Sequence, residues 1–147
     1  MMRVTIGSEP KLLNILRCVV EFSAQVAGLT KSDSEHLALA IGEAAANVIR
    51  HTYCGRTDAA VALEVHKLPD RLEFILEDSG PKVCEDQIRP RPLDELRPGG
   101  LGTFFINSFM DECTYDPAFT GGNRLKLVKF LARKGTGCNE SKSAQSE

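Results

Sequence analysis

Val61-Ala62-Leu63-Glu64-Val65-His66-Lys67-Leu68-Pro69-Asp70-Arg71-Leu72-Glu73-Phe74-Ile75-Leu76-Glu77 is the stretch on which the fold turns. Val61, Leu63 and Val65 alternate with smaller or polar residues, and Leu72, Phe74 and Leu76 repeat the pattern. Alternation with period two sets one face of each run on a core and leaves the other wet. Between the runs, Pro69-Asp70 is natural turn chemistry. Strands joined by so short a turn are antiparallel neighbours, because a parallel pair needs a crossover of about a dozen residues or more.

Outward from this hairpin, Arg3-Val4-Thr5-Ile6 reads as a first strand with Val4 and Ile6 on one face. Ser8 is expected to cap a helix with Pro10 in its first turn. Leu12, Ile15, Leu16, Val19, Phe22 and Val26 follow at the spacing of a one-sided amphipathic helix, stopped at Gly28. A second helix is expected from Ser32, with Ser32-Asp33-Ser34-Glu35 as a capping box, running to about Tyr53.

Beyond the hairpin, the stretch from Asp78 to Gly100 holds Pro81, Pro90, Pro92 and Pro98 and shows no period. Loops of that length inside a compact domain are uncommon and are usually functional lids or disordered. Phe104, Phe105, Ile106 and Phe109 mark a third helix from Thr103 to Met110. Glu112 to Tyr115 and Arg124 to Leu131 read as closing strands around a Gly121-Gly122-Asn123 turn. The order is β-α-α-β-β-loop-α-β-β. It implies an α+β fold, a two-layer sandwich with a mostly antiparallel sheet and helices on one face, not a doubly wound nucleotide fold. The domain is expected over residues 1–134, with a polar, disordered tail over 135–147.

The 147 residues fit one domain with one core. A net charge of −2 gives no electrostatic pull toward nucleic acid or an anionic membrane, so neither is expected as a partner. No apolar run approaches the roughly 20 residues of a membrane span, and no signal peptide is evident. The expected compartment is the cytoplasm. Five scattered cysteines, without a CxxC pair, suggest neither a disulfide framework nor a zinc site.

On the second helix, Leu37, Ile41, Ala44, Ala45 and Val48 form the buried stripe. Glu43, Asn47 and His51 fall four residues apart, in one row along its border. A carboxylate, an amide and an imidazole at the edge of a core are costly unless something engages them. Asp78-Ser79-Gly80 follows directly on a strand, and Gly99-Gly100-Leu101-Gly102-Thr103 leads into a helix. Glycines there let backbone approach a ligand, and the helix N-terminus offers free N–H groups to an anion.

These three elements, in this order and spacing, resemble the N, first-G and second-G boxes of the GHKL ATPases, the Bergerat fold. Glu43-Ala44-Ala45-Ala46-Asn47-Val48-Ile49-Arg50-His51, Asp78-Ser79-Gly80 and Gly100-Leu101-Gly102, with Asp111-Glu112 behind, carry the likeness. The short single domain is similar to the bacterial anti-sigma-factor serine kinases within that family. The resemblance implies ATP and Mg²⁺ as cofactors, with Asn47 the metal ligand and Glu43 the catalytic residue, as general base on an incoming seryl hydroxyl or as the group that orients it. It implies that Asp78 meets the adenine amino group and Gly80 keeps the turn open beneath the base. Gly100, Leu101, Gly102 and Thr103 would surround the phosphates, with Arg50 and Arg97 as candidate phosphate partners and His51 shaping the pocket.

The implied function is phosphorylation of a STAS-type antagonist protein, with sequestration of a sigma factor in the other state. The alternative is a non-catalytic ATP-binding module acting on another signalling protein. An apolar strip on the first helix would serve a homodimer or another partner, and core packing explains it as well. At the last strand, Gly121-Gly122-Asn123 stands where the family usually has Gly-Thr.

Overall fold

A computed structural model of the chain describes residues 1–83 and 100–132. Arg97, most of the expected lid and the 135–147 tail lie outside the described residues. The strands are β1 (Met2–Gly7), β2 (Ala60–Lys67), β3 (Arg71–Asp78), β4 (Glu112–Tyr115) and β5 (Asn123–Phe130). The helices are α1 (Leu13–Val26), α2 (Lys31–Asn47) and α3 (Gly100–Phe109). The five strands form one antiparallel sheet in the order β1-β2-β3-β5-β4. In the quoted hairpin, Leu63 pairs with Leu76 and Val65 with Phe74, which sets both apolar sets on one face. The architecture is the expected two-layer α+β sandwich.

Leu63, Leu72, Phe74 and Leu127 from the sheet meet Leu16, Val20, Leu37 and Ile41 from the helices, all fully or almost fully buried. Burial of one such side chain contributes about 1.5–3 kcal/mol. The small residues Ala40, Ala44 and Ala45 on α2 are buried too, so this helix packs closely between α1 and α3.

Five local expectations are corrected. Ser8 does not cap a helix. Its fully buried hydroxyl donates to Arg56 O at 2.6 Å and accepts from Ala59 N at 3.2 Å, tying the end of β1 to the entry of β2. The cap of α2 is Thr30, not Ser32: Thr30 Oγ1 accepts from Asp33 N at 3.1 Å and donates to Asp33 Oδ2 at 2.7 Å. The buried line of α1 is Leu13, Leu16, Val20 and Ala24, whereas Ile15, Phe22 and Val26 are exposed. The α-helical ladder of α2 ends at Asn47 and gives way to a π-helical turn, Val48–Thr52, before Tyr53. The third helix also begins earlier than its apolar period indicates, with its glycines in the first turn.

Candidate functional site

The site is assembled where the C-terminal end of α2, the N-terminal turn of α3 and the ends of β3 and β5 converge. Alanines on α2 and Gly102 on α3 let the two helices approach closely. A Cβ built on Gly102 would lie 3.3 Å from Glu43 Oε2 and 3.4 Å from Asn47 Nδ2. The first turn of α3, with its free N–H groups, thus rests directly on the carboxylate and the amide. Gly102 is buried, Glu43 and Asn47 are partly exposed, and Thr103, the next residue of that turn, is half-buried.

Glu43 lies between two guanidinium groups. Arg17 Nη2 on α1 is 3.5 Å from Glu43 Oε1, and Arg50 Nη2 is 3.5 Å from Oε2. Both distances are at the outer limit for a hydrogen bond, so the carboxylate is held mainly by charge. Arg17 reaches it by lying across Gly42, where an added Cβ would fall 2.3 Å from Arg17 Nε. That Nε is buried and has no hydrogen-bond partner among the described residues. Sequence reasoning missed Arg17. Its signal was Gly42, a glycine inside a helix beside the polar row, which marks a close approach.

The π turn changes the row on α2. A turn closed by Tyr53 N donating to Val48 O at 2.9 Å carries an extra residue, and His51 lies within it. His51 and Arg50 are exposed. The same turn buries Tyr53, whose hydroxyl donates to Ala60 O at 2.5 Å and accepts from Ser79 N at 2.9 Å. Tyr53 therefore fixes the end of β3 against the end of the helix. Period alone gave no sign of this, because Tyr53 becomes inward-facing only through the π turn.

Asp78, at the end of β3, is 7% exposed. Its Oδ1 accepts from Gly80 N at 2.8 Å and from Asn123 Nδ2 at 2.9 Å. Oδ2 has no partner among the described residues. A Cβ on Gly80 would fall 2.0 Å from Thr52 Cγ2, so the turn passes flush against the helix end. Gly122, at φ +136°, lies on the Asp78 carbonyl: an added Cβ would be 1.9 Å from that oxygen.

The structure thus brings Glu43, Asn47, Gly102 and Thr103 together, with Arg50 alongside, and sets Asp78 and Gly80 on the adjoining strand end. Gly100 and Leu101 lie in the first turn of α3. Among the described residues there is no group of three or more histidine, cysteine or carboxylate side chains able to hold a metal ion. No described helix is long and apolar enough to cross a membrane. A cavity of about 240 Å³, lined by Asp33, His36, Leu37, Ser108, Phe109 and Lys129, lies against the N-terminal turns of α2, away from Glu43 and Asn47.

The family model for the histidine kinase-like ATPase domain matches residues 7–129. The serine-protein kinase RsbW of Halalkalibacterium halodurans is 30% identical over 138 residues, covering 88% of this chain and 83% of that protein. RsbW of Bacillus velezensis is 30% identical over 134 residues, covering 86% and 82%. Among solved structures, the histidine kinase domain of a blue-light activated histidine kinase from Erythrobacter litoralis is similar in fold. The TM-score is 0.52 at 16% identity, over 84% of this chain and 60% of that one. Sheet order, helix layer and matched length agree: the chain belongs to the histidine kinase-like ATPase family.

Proposed function

We propose that this protein is an ATP-dependent protein-serine kinase of the anti-sigma-factor type. It would phosphorylate a small STAS-type antagonist and, in its other state, sequester a sigma factor. The observation that carries the reading is the Glu43 carboxylate set beside Asn47 against Gly102, in the first turn of α3. The likeness in sequence to the RsbW serine-protein kinases supports it.

The residues present fit Mg-ATP. The buried Asp78 carboxylate, with Oδ2 uncommitted, suits the adenine amino group. The α3 N-terminus, through Gly100, Leu101, Gly102 and Thr103, suits phosphate oxygens. Asn47 would offer its amide oxygen to the magnesium, which would take its remaining ligands from phosphate and water, as this hard cation prefers. Magnesium would supply charge neutralisation on the phosphates. Arg50 stands close enough to add to that charge, and Arg97 is the second candidate.

Glu43 would take the proton from the seryl hydroxyl as its oxygen bonds to the γ-phosphorus and the bond to the bridging oxygen breaks, releasing ADP. No covalent bond to the protein is needed, so rate comes from positioning and electrostatics. His51, exposed on the π turn, is assigned to the pocket rim.

Incubation with γ-labelled ATP and a STAS-type antagonist tests the proposal. Label should appear on the antagonist's serine, and Glu43→Gln should cut transfer by about a hundredfold or more while ATP affinity is retained. ATP binding with no transfer by the unaltered protein would instead support a non-catalytic regulatory module.

A further inference from the structure

Asn123 opens β5 with its side chain turned inward, 4% exposed, opposite Asp78 in the strand ladder. Every donor it has is committed. Nδ2 donates to Asp78 Oδ1 at 2.9 Å and to Pro81 O at 2.8 Å, while Oδ1 accepts from Val83 N at 2.9 Å. The alternative amide orientation would set oxygen against two acceptors and nitrogen against a donor, so the network fixes the assignment. With both N–H groups used, Asn123 has none to offer a ligand. It acts through its neighbours.

The neighbour that matters is Asp78. The terminal torsion of an aspartate is soft, so the plane of its carboxylate is ordinarily loosely held. Here Oδ1 receives both Gly80 N and Asn123 Nδ2. Rotating the carboxylate would leave buried donors unpaired, which is costly. The two donors therefore fix the plane of the carboxylate, which leaves one oxygen, Oδ2, without a partner among the described residues. The second N–H of Asn123 and its carbonyl grip Pro81 and Val83, the residues that lead into the loop after β3.

We propose that Asn123 is a positioning residue for base recognition. It locks the Asp78 carboxylate with Oδ2 facing an incoming purine amino group, and couples that orientation to the root of the loop. The inference rests on the reading of Asp78 as the adenine acceptor and adds the device that makes this acceptor selective.

The test compares the affinity of the full chain for ATP with that for purine riboside triphosphate, which lacks the amino group. It uses the unaltered protein, Asp78→Asn, Asn123→Ala and Asn123→Ser, each checked for folding by thermal melting. The unaltered protein should prefer ATP. Asn123→Ala should shrink that preference by about tenfold or more, through loss of a charge-assisted bond that orients the acceptor. Asn123→Ser, a small residue that retains one donor, should fall between them, and decides the matter where Asn123→Ala does not fold. A residue that merely supports the strand would lower the melting temperature and leave the ratio of the two affinities unchanged. An unchanged ratio in a folded Asn123 variant, with Asp78→Asn having lost ATP affinity, overturns the role of Asn123 alone. Unchanged ATP affinity in Asp78→Asn overturns the reading of the base pocket, and the inference with it.

Discussion

Gly42 lies directly under the Arg17 side chain, and this contact decides how Glu43 is held. A methyl group at position 42 would collide with the middle of a flexible side chain, 2.3 Å from Nε and 3.0 Å from Cγ, and not with backbone. The cheapest relief is for Arg17 to swing away, abandoning Glu43. Alanine is also the better helix former by roughly 1 kcal/mol in a helix interior. Gly42→Ala is therefore expected to keep or slightly raise the melting temperature while lowering phosphotransfer, with ATP affinity little changed. Because the Arg17–Glu43 pair is loose and partly solvated, the loss should be modest, about fivefold or less. Arg17→Ala should reproduce it, and combining the two should add nothing further, as for two changes that remove one interaction. Additive losses in steady-state kinetics of the double variant would show that Gly42 acts independently of Arg17.

At the scale of elements, legibility in the sequence followed periodicity. The hairpin of β2 and β3 was readable residue by residue, because alternation and a Pro-Asp turn leave one register that buries Leu63, Leu76, Val65 and Phe74 together. Glu43, Asn47 and the α3 glycines were readable as polar or small residues out of place on apolar elements. The π turn was not, since an i→i+5 closure leaves no mark in a period of 3.6, and with it went the buried position of Tyr53. Asn123 was legible only as a turn residue, because its partners at Asp78, Pro81 and Val83 are about 40 residues away in the chain. Helix α1 misled for another reason: it is apolar on two sides, and the more regular spacing is not the buried one. Leu16→Ala is expected to cost about 2–5 kcal/mol, as for other buried leucines. Phe22→Ser, at a position 69% exposed, should stay within about 0.5 kcal/mol. Urea denaturation of the two variants checks the pair, and similar midpoints would mean that the inward face of α1 has been assigned wrongly.

Across the whole molecule the sheet has two unlike faces, and the one away from the helices is held by charge. Arg3 bridges Glu64 and Glu77, Arg124 joins Glu77 to Asp116, and Glu73 takes both Arg71 and Lys126. These pairs run across β1, β2, β3 and β5, so they tie the strands together on the side where no helix does. Arg71 and Lys126 hold the Glu73 carboxyl below its ordinary value, and His66 with Arg3 does the same for Glu64. A carboxyl depressed on folding stabilises the native state above its unfolded pKa, near 4.5. That contribution fades as pH falls from there through the lower folded value, because the unfolded chain takes up the proton first. Stability should thus be level around neutrality and decline below about pH 4.5, more steeply at low ionic strength, since these partners are partly exposed and screened by salt. Glu73→Gln should lower stability at pH 7 and flatten the acid decline. Melting temperatures of both proteins between pH 3 and 7 would check this: parallel curves would show that the open face contributes charge without contributing stability.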